Sequence, residues 1–184
     1  MLNVNFVPFP KLQTQRLTLL RLEPVHAGDV FRLRSNAEAM KYIGKSLLNS
    51  RDEAARLIEA YSKGLNENAA ITWGIVLSSD RRSPIGTIGF HTIDKSNHRA
   101  EIGYMIHPDY WNQGLMKEAV DRVISYGFDT LGLHSIEAKI HPENTASERL
   151  LLKLGFVKEA YFRESFYFEG KFQDTVVFSL ISTR

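Results

Sequence analysis

The 184-residue sequence predicts an α/β (α+β) domain, a mixed sheet with helices packed on it. Two observations carry that expectation. Short apolar runs with period-two alternation are interleaved with helical stretches, in the order β-α-α-β-β-β-α-β-α-β-β. No repeat, low-complexity tract or linker interrupts this order, so the length suits a single domain, 1–184, with a sizeable core. The 43% apolar and 24% charged content is ordinary for a globular chain.

Each element has its own signal. RLTLLRL (16–22) alternates and reads as the first strand, and Pro24 and Val25 open a helix carrying Val30, Phe31 and Leu33. Ser50 and Glu53 have capping-box spacing at the start of a second helix, with Ala54, Leu57, Ile58, Tyr61 and Leu65 on one face. ITWGIVL (71–77) and PIGTIGFHTID (84–94) flank the turn SSDRRS and form a hairpin. RAEIGYMI (99–106) continues the meander, with Ala100, Ile102, Tyr104 and Ile106 on one face. A helix over 113–130 follows, then the strand SIEAKI (135–140) and the helix TASERLLLKL (145–154), closed by Gly155. Two aromatic-rich strands, roughly 160–168 and 172–181, end the chain around a turn at Glu169, Gly170 and Lys171. YFRESFYF (161–168) reads as a packed strand in preference to a ligand-stacking surface.

Several function classes fall away. Without cysteine there is no disulfide, thiolate–metal site or cysteine nucleophile. The N-terminal stretch has no signal-peptide pattern, and no apolar run reaches membrane-spanning length, so no membrane role and a cytoplasmic location are expected. A net charge of +2 is too small to argue for nucleic acid or membrane, and no nucleic-acid partner is expected. AMKYIGKS (39–46) nearly spells a phosphate-cradling loop, but Ala39 replaces the required glycine and no strand precedes it. The histidines at 26, 91, 98, 107, 134 and 141 lack ligand spacing, so no metal is expected, and no nucleophile elbow is present.

PDYWNQGLMKEA (108–119) is the stretch that points to a site. It places Gly114 between a strand and a helix, so the amides of Gln113, Gly114, Leu115, Met116, Lys117 and Glu118 face out at the positive end of the helix dipole. Gly114, lacking a Cβ, permits close backbone approach. Read alone, this is either an ordinary cap facing water or an anion site.

With the following strand and HPENTASERLLLKLGF (141–156), the arrangement resembles the GCN5-related N-acetyltransferase (GNAT) superfamily, in its ribosomal-protein-alanine acetyltransferase branch. EIGYMIHPDYWNQGLMKEA resembles that branch's fourth strand and acetyl-coenzyme A loop, IHPENTASERLLLKLGF its fifth strand and asparagine–serine segment, and EGKFQDTVVFSL its C-terminal hairpin, with Asp174. The resemblance implies a mostly antiparallel sheet of about six or seven strands with about four helices, and a pyrophosphate bound by the loop. Against the usual Q/R-x-x-G-x-G/A pattern, Trp111 takes the first position, Met116 the last, and Asn112 stands where glycine is common.

The resemblance also implies acetyl-coenzyme A as co-substrate and direct attack by an amine. Glu101, in the strand leading to the loop, is the candidate base; its bland reading is a structural or solvated carboxylate. Backbone amides near Met105, Ile106 and His107, where the family's strand splays, would bind the thioester carbonyl. Asn144 is a candidate cofactor contact, and Ser147 a candidate partner of the leaving sulfur. Thr145 and Glu148 have capping-box spacing, so that segment also has a structural use. Tyr104 reads as core before acid, His91 as a half-buried histidine before a substrate-channel residue, and Trp73 and Phe90 as packing before acceptor-pocket lining. The acceptor expected is the N-terminal α-amine of a protein or peptide; a polyamine, antibiotic amine or amino acid, and a non-catalytic acyl-coenzyme A module, are the competing readings. Monomer and homodimer are both open.

Overall fold

The computed structural model describes residues 1–80 and 82–183. The strands are β1 (Leu12–Gln13), β2 (Leu17–Arg21), β3 (Ile71–Leu77), β4 (Gly86–Asp94), β5 (Arg99–Ile106), β6 (Ser135–Ile140), β7 (Val157–Phe168) and β8 (Lys171–Ile181). They form one eight-stranded sheet in the order β1-β2-β3-β4-β5-β6-β8-β7. Every neighbouring pair is antiparallel except β5 and β6, which are parallel. The sheet exceeds the expected strand number because of the two-residue β1. Arg81, within the expected SSDRRS turn, lies outside the described residues.

The helices are α1 (Ala27–Arg34), α2 (Ala37–Met40), α3 (Arg51–Asn66), α4 (Leu115–Asp129) and α5 (Thr145–Lys153). Local chemistry sets their ends. Ser50 Oγ accepts the Glu53 amide at 3.2 Å, while the Glu53 carboxylate accepts the Asn49 amide at 2.8 Å. At α5 the cap is Asn144, whose Oδ1 accepts the Ser147 amide at 3.2 Å; Thr145 is already helical, so the expected Thr145–Glu148 box is displaced by one residue.

Strand alternation divides the sheet's two faces. Leu17, Leu19, Ile75, Ile88, Ile102 and Ile136 pack with Ala119, Val120 and Val123 of α4 in the main core. Trp73 and Phe90 are fully buried in the same layer, with Tyr126 edge-on to Trp73 and the Trp73 indole donating to the Pro10 carbonyl at 2.7 Å. The other face carries a smaller cluster of Leu22, Val30, Ala54 and Ile58 under α1 and α3, and one of Leu33, Met40 and Met105.

Two departures from regular pairing shape that second face. β4 slips register between Phe90 and Thr92, so that Phe90 pairs Ile102 and Thr92 pairs Glu101, leaving His91 as the extra, outward-turned residue. β5 and β6 pair only from Arg99↔Ser135 to Glu101↔Glu137, and beyond that point each strand keeps only its outer partner. At the far edge β7 is a strand, as expected, but most of it is not packed. Tyr161, Phe162 and Tyr167 are exposed because no helix among the described residues covers them, and Phe166, less exposed than these three, lies against Gly44. Its register slip near Glu164 is held by Asp174, which accepts from the Glu164 amide at 2.7 Å and from the Tyr161 hydroxyl.

A side-chain brace joins the β1–β2 turn to the start of α4. Glu118 accepts from Thr14 Oγ1 (2.5 Å), the Arg16 amide (2.8 Å) and Arg16 Nε (2.7 Å), and Arg16 Nη1 donates to the Gln113 carbonyl at 2.9 Å. Burial alone would raise the Glu118 carboxyl, but these hydrogen bonds outweigh it and hold it below its ordinary value. Glu118→Ala should cost about 1–3 kcal/mol by urea denaturation at neutral pH. A lowered folded-state value stabilises above the ordinary carboxylate range and loses that contribution as pH falls through it. The gap between wild type and variant should therefore hold from neutral pH down to about 5 and close below it.

Candidate active site

The loop entering α4 is built to leave amides unused. Asn112 (φ 58°) and Gly114 (φ 72°) are both left-handed, which asparagine tolerates and glycine favours. Gly114 is the N-cap and supplies no side-chain cap, so the amides from Gly114 to Lys117 have no partner within the helix. Glu118 is a correction to the expected set, because its amide donates to the Gly114 carbonyl (3.2 Å) and its carboxylate serves the brace. A Cβ built at Gly114 would meet only Arg16 Nη2, at 3.6 Å, so the surface there is open. Leu115 is buried and Met116 packs on the main core, so these two contribute backbone alone. Trp111 has a structural task at its unusual position, with Nε1 donating to the Ile106 carbonyl at 2.9 Å.

Ile106 thus points its carbonyl into the gap beyond the last β5–β6 pair. The His107 amide faces the other way, donating to Ile85 at 2.8 Å, so it is withdrawn from the expected carbonyl-binding set. Its ring accepts weakly from the Asp109 amide at 3.4 Å. Alternation then turns the amides of Tyr104 and Ile106 toward the gap. Met105 directs its side chain to the opposite face, beside Leu33 and Met40.

At the vertex of the gap stands a charge cluster. Lys139 Nζ lies 2.8 Å from Glu101 Oε2 and 3.0 Å from Glu137 Oε1, and Glu137 also binds the Arg99 guanidinium. The hydrogen bond it donates to Glu101, and after that the one it donates to Glu137, raises Lys139 above its ordinary value against the opposing effect of burial, so it is an ammonium at neutral pH. Across the gap, Tyr104 Oη and Ser147 Oγ are 2.7 Å apart. Burial pushes the Tyr104 phenol up to about 12, so it keeps its proton, and Ser147 is itself buried. Tyr104 is therefore both a core residue and a polar neighbour of Ser147.

Glu101, Lys139, Tyr104 and Ser147 share one cleft of about 540 Å³ with Arg34, Tyr42, Lys45, Tyr61, Thr72, Thr87, His91, Gly103, Asn144 and others. His91 packs over Gly103, where a Cβ would come within 2.3 Å of its ring. The imidazole is reached by solvent yet flanked by protein on most sides. Burial, with Arg34 and Lys45 adding, lowers it below its ordinary value against the pull of Glu101, so it is neutral at neutral pH. Trp73 and Phe90, expected as possible acceptor-pocket lining, are absent from the cleft; the pleat turns them into the core. Lys139, Arg34, Lys45, Tyr42 and Tyr61 were not legible in the sequence. Only Lys139 left a signal, since its period-two spacing from Glu137 puts both on one face of β6.

A sequence profile of the acetyltransferase (GNAT) domain matches residues 16–157. An uncharacterized N-acetyltransferase, YoaA, of Bacillus subtilis (strain 168) is 40% identical over 96% of this chain and 99% of its own. The ribosomal protein uS5-alanine N-acetyltransferase of Escherichia coli (strain K12) is 31% identical, covering 95% of this chain and 92% of its own. Among solved structures, spermidine N-acetyltransferase from Vibrio cholerae in complex with CoA and spermine superposes with a TM-score of 0.80 at 27% identity, over 91% of this chain and 96% of that one. With the unpaired amides of α4, the β5–β6 gap and the cleft between them, these matches establish that the chain belongs to the GNAT acetyltransferase family and is an N-acetyltransferase.

Proposed function

We propose that this chain acetylates the N-terminal α-amine of a protein or peptide by direct attack within a ternary complex. The observation that carries direct transfer is the β5–β6 gap, with Glu101 at its vertex and Ser147 across it, in a chain without cysteine. The α-amine acceptor is supported by the uS5-alanine acetyltransferase relative, aligned over nearly all of both chains. Similarity to the spermidine enzyme supports a polyamine as the second reading.

The residues fit acetyl-coenzyme A as donor. The amides of Gly114, Leu115, Met116 and Lys117 converge at an open helix start suited to a pyrophosphate, beside Asn112 and Gln113. Asn144 caps α5 with Oδ1 and keeps its amide nitrogen for the pantetheine chain. Bound there, the donor supplies an activated acetyl thioester. The amides of Tyr104 and Ile106 meet the charge that develops on the carbonyl oxygen. Glu101, held by Lys139, takes the amine's proton directly or through a water. Ser147 donates to the departing sulfur while Tyr104 donates to Ser147. His91, neutral over Gly103, lines the acceptor side.

Three variants separate these roles. Gly114→Val should weaken coenzyme A by at least about tenfold in calorimetry with the fold intact, equivalent to about 1.4 kcal/mol; unchanged affinity removes the pyrophosphate assignment. Ser147→Ala should lower turnover by about 10²-fold or less, and an unchanged rate would leave Ser147 a structural residue. Glu101→Gln should lower neutral-pH turnover about 10²–10⁴-fold. Raising the pH should restore much of that loss, near about 8 for an α-amine but only near about 10 for a lysine or polyamine. Equal impairment at every pH would make Glu101 a positioning residue instead.

A further inference from the structure

The acceptor half of the cleft carries more positive charge than acetyl transfer requires. Among the described lining residues the cations are Arg34, Lys45 and Lys139, and the single carboxylate is Glu101, already engaged by Lys139 at 2.8 Å. Neither Arg34 nor Lys45 has a carboxylate partner among the described residues. Arg34 Nη1 meets only the Met105 sulfur, at 3.7 Å, a weak acceptor, and its Nε is buried with no partner. The unpaired Nε leaves the guanidinium poorly satisfied by the protein, which is costly for a charge, and its terminal nitrogens, with only a sulfur for a partner among the described residues, are the donors an acceptor in the cleft would meet. Arg34 and Lys45 line the same cleft as His91, and both charges add to the lowering of its imidazole. The Tyr61 hydroxyl on the same wall keeps its proton, because burial raises its value, and adds a neutral donor. The segment bearing Lys45 is anchored at both ends: the Leu48 amide donates to the Arg34 carbonyl at 3.2 Å, and Phe166 packs where a Gly44 side chain would stand.

We infer that this half of the cleft recognises a carboxylate on the acceptor, with Arg34 and Lys45 as its partners. The preferred acceptor is then a peptide whose N-terminal α-amine is followed, within its first residues, by an aspartate or glutamate. The inference rests on the N-terminal acetylation reading and narrows it to a substrate class. Planar guanidinium suits bidentate pairing with a carboxylate. A polyamine instead brings additional ammonium groups to a wall whose one carboxylate among the described residues, Glu101, is occupied. The cationic wall also favours the neutral form of the attacking amine, the form that reacts.

The test is kcat/KM by thiol release with acetyl-coenzyme A, for three otherwise identical peptides bearing Glu, Gln or Lys at the second position, with spermidine and free glutamate as further acceptors. The Glu peptide should exceed the Gln peptide by about tenfold or more and the Lys peptide by a wider margin, with the ratio shrinking as salt is raised. In Arg34→Gln and in the exposed-site variant Lys45→Gln, the Glu-to-Gln ratio should fall toward one. Equal rates on all three peptides would overturn the inference while leaving N-terminal acetylation standing. Acetylation of spermidine with no peptide accepted would overturn both. Glutamate accepted as well as the Glu peptide would overturn the peptide assignment. Arg34→Gln weakening coenzyme A in calorimetry without changing the peptide ratio would move Arg34 to the donor site and overturn its role here.

Discussion

The separation of β5 from β6 after Glu101↔Glu137 is the constraint on which the site depends. Past that pair β5 continues on β4 as far as Gly86↔Ile106, and β6 continues on β8 as far as Ile140↔Val176. Each strand is satisfied on its outer edge, so the cost of parting falls on the inner edges alone. Unpaired backbone groups there must find other partners. The Ile106 carbonyl has one in the Trp111 indole, whereas the amides of Tyr104 and Ile106 face the gap. The strands part toward their C-terminal ends, and β5 leads through a 3-10 turn at Pro108–Tyr110 to the open helix start at Gly114. In the proposed mode of binding, this one departure from sheet pairing aligns the groups for two ends of an extended thioester.

Charge keeps the vertex fixed. Arg99, Glu137, Lys139 and Glu101 alternate in sign where the strands diverge, tying the last paired residues together from the side chains. Lys139 faces both carboxylates, so Glu101 is oriented but not free. Opposite it, the Tyr104–Ser147 contact links β5 to α5 across the gap. The β4 bulge adds the fourth wall by turning His91 onto Gly103 without moving Phe90 or Ile93 from the core. Catalytic candidates therefore come from four elements whose mutual placement is set by backbone pairing and packing.

The fold was legible where periodicity had one interpretation. Ile71–Leu77, Arg99–Ile106 and Ser135–Ile140 are strands with the expected bounds, and the Ser50 cap starts α3 as its spacing predicts. Residue-level roles were less legible, because they depend on direction. Trp73 and Phe90 lie on strands bordering the cleft, yet the pleat points them into the core. The amides of His107 and Glu118 belong to the expected runs, but one closes the β4–β5 ladder and the other the first helical turn. The aromatic alternation of β7 announced a strand and could not announce that no helix among the described residues covers most of it. Arg34 and Lys45 are invisible in sequence, since basic residues at a helix end and in a loop look like solvated charge until the fold brings them over one cleft.

Amide hydrogen exchange with and without coenzyme A tests the central claim most directly, because the claim is about which backbone N–H groups are left for the ligand. Bound coenzyme A should slow exchange at Tyr104 and Ile106 and from Gly114 to Lys117, while the His107 and Glu118 amides, already bonded within the protein, change little. Protection confined to other segments, with the Tyr104, Ile106 and Gly114–Lys117 amides exchanging as fast as in the free protein, would contradict the assignment of the β5–β6 gap and the α4 start as the donor site.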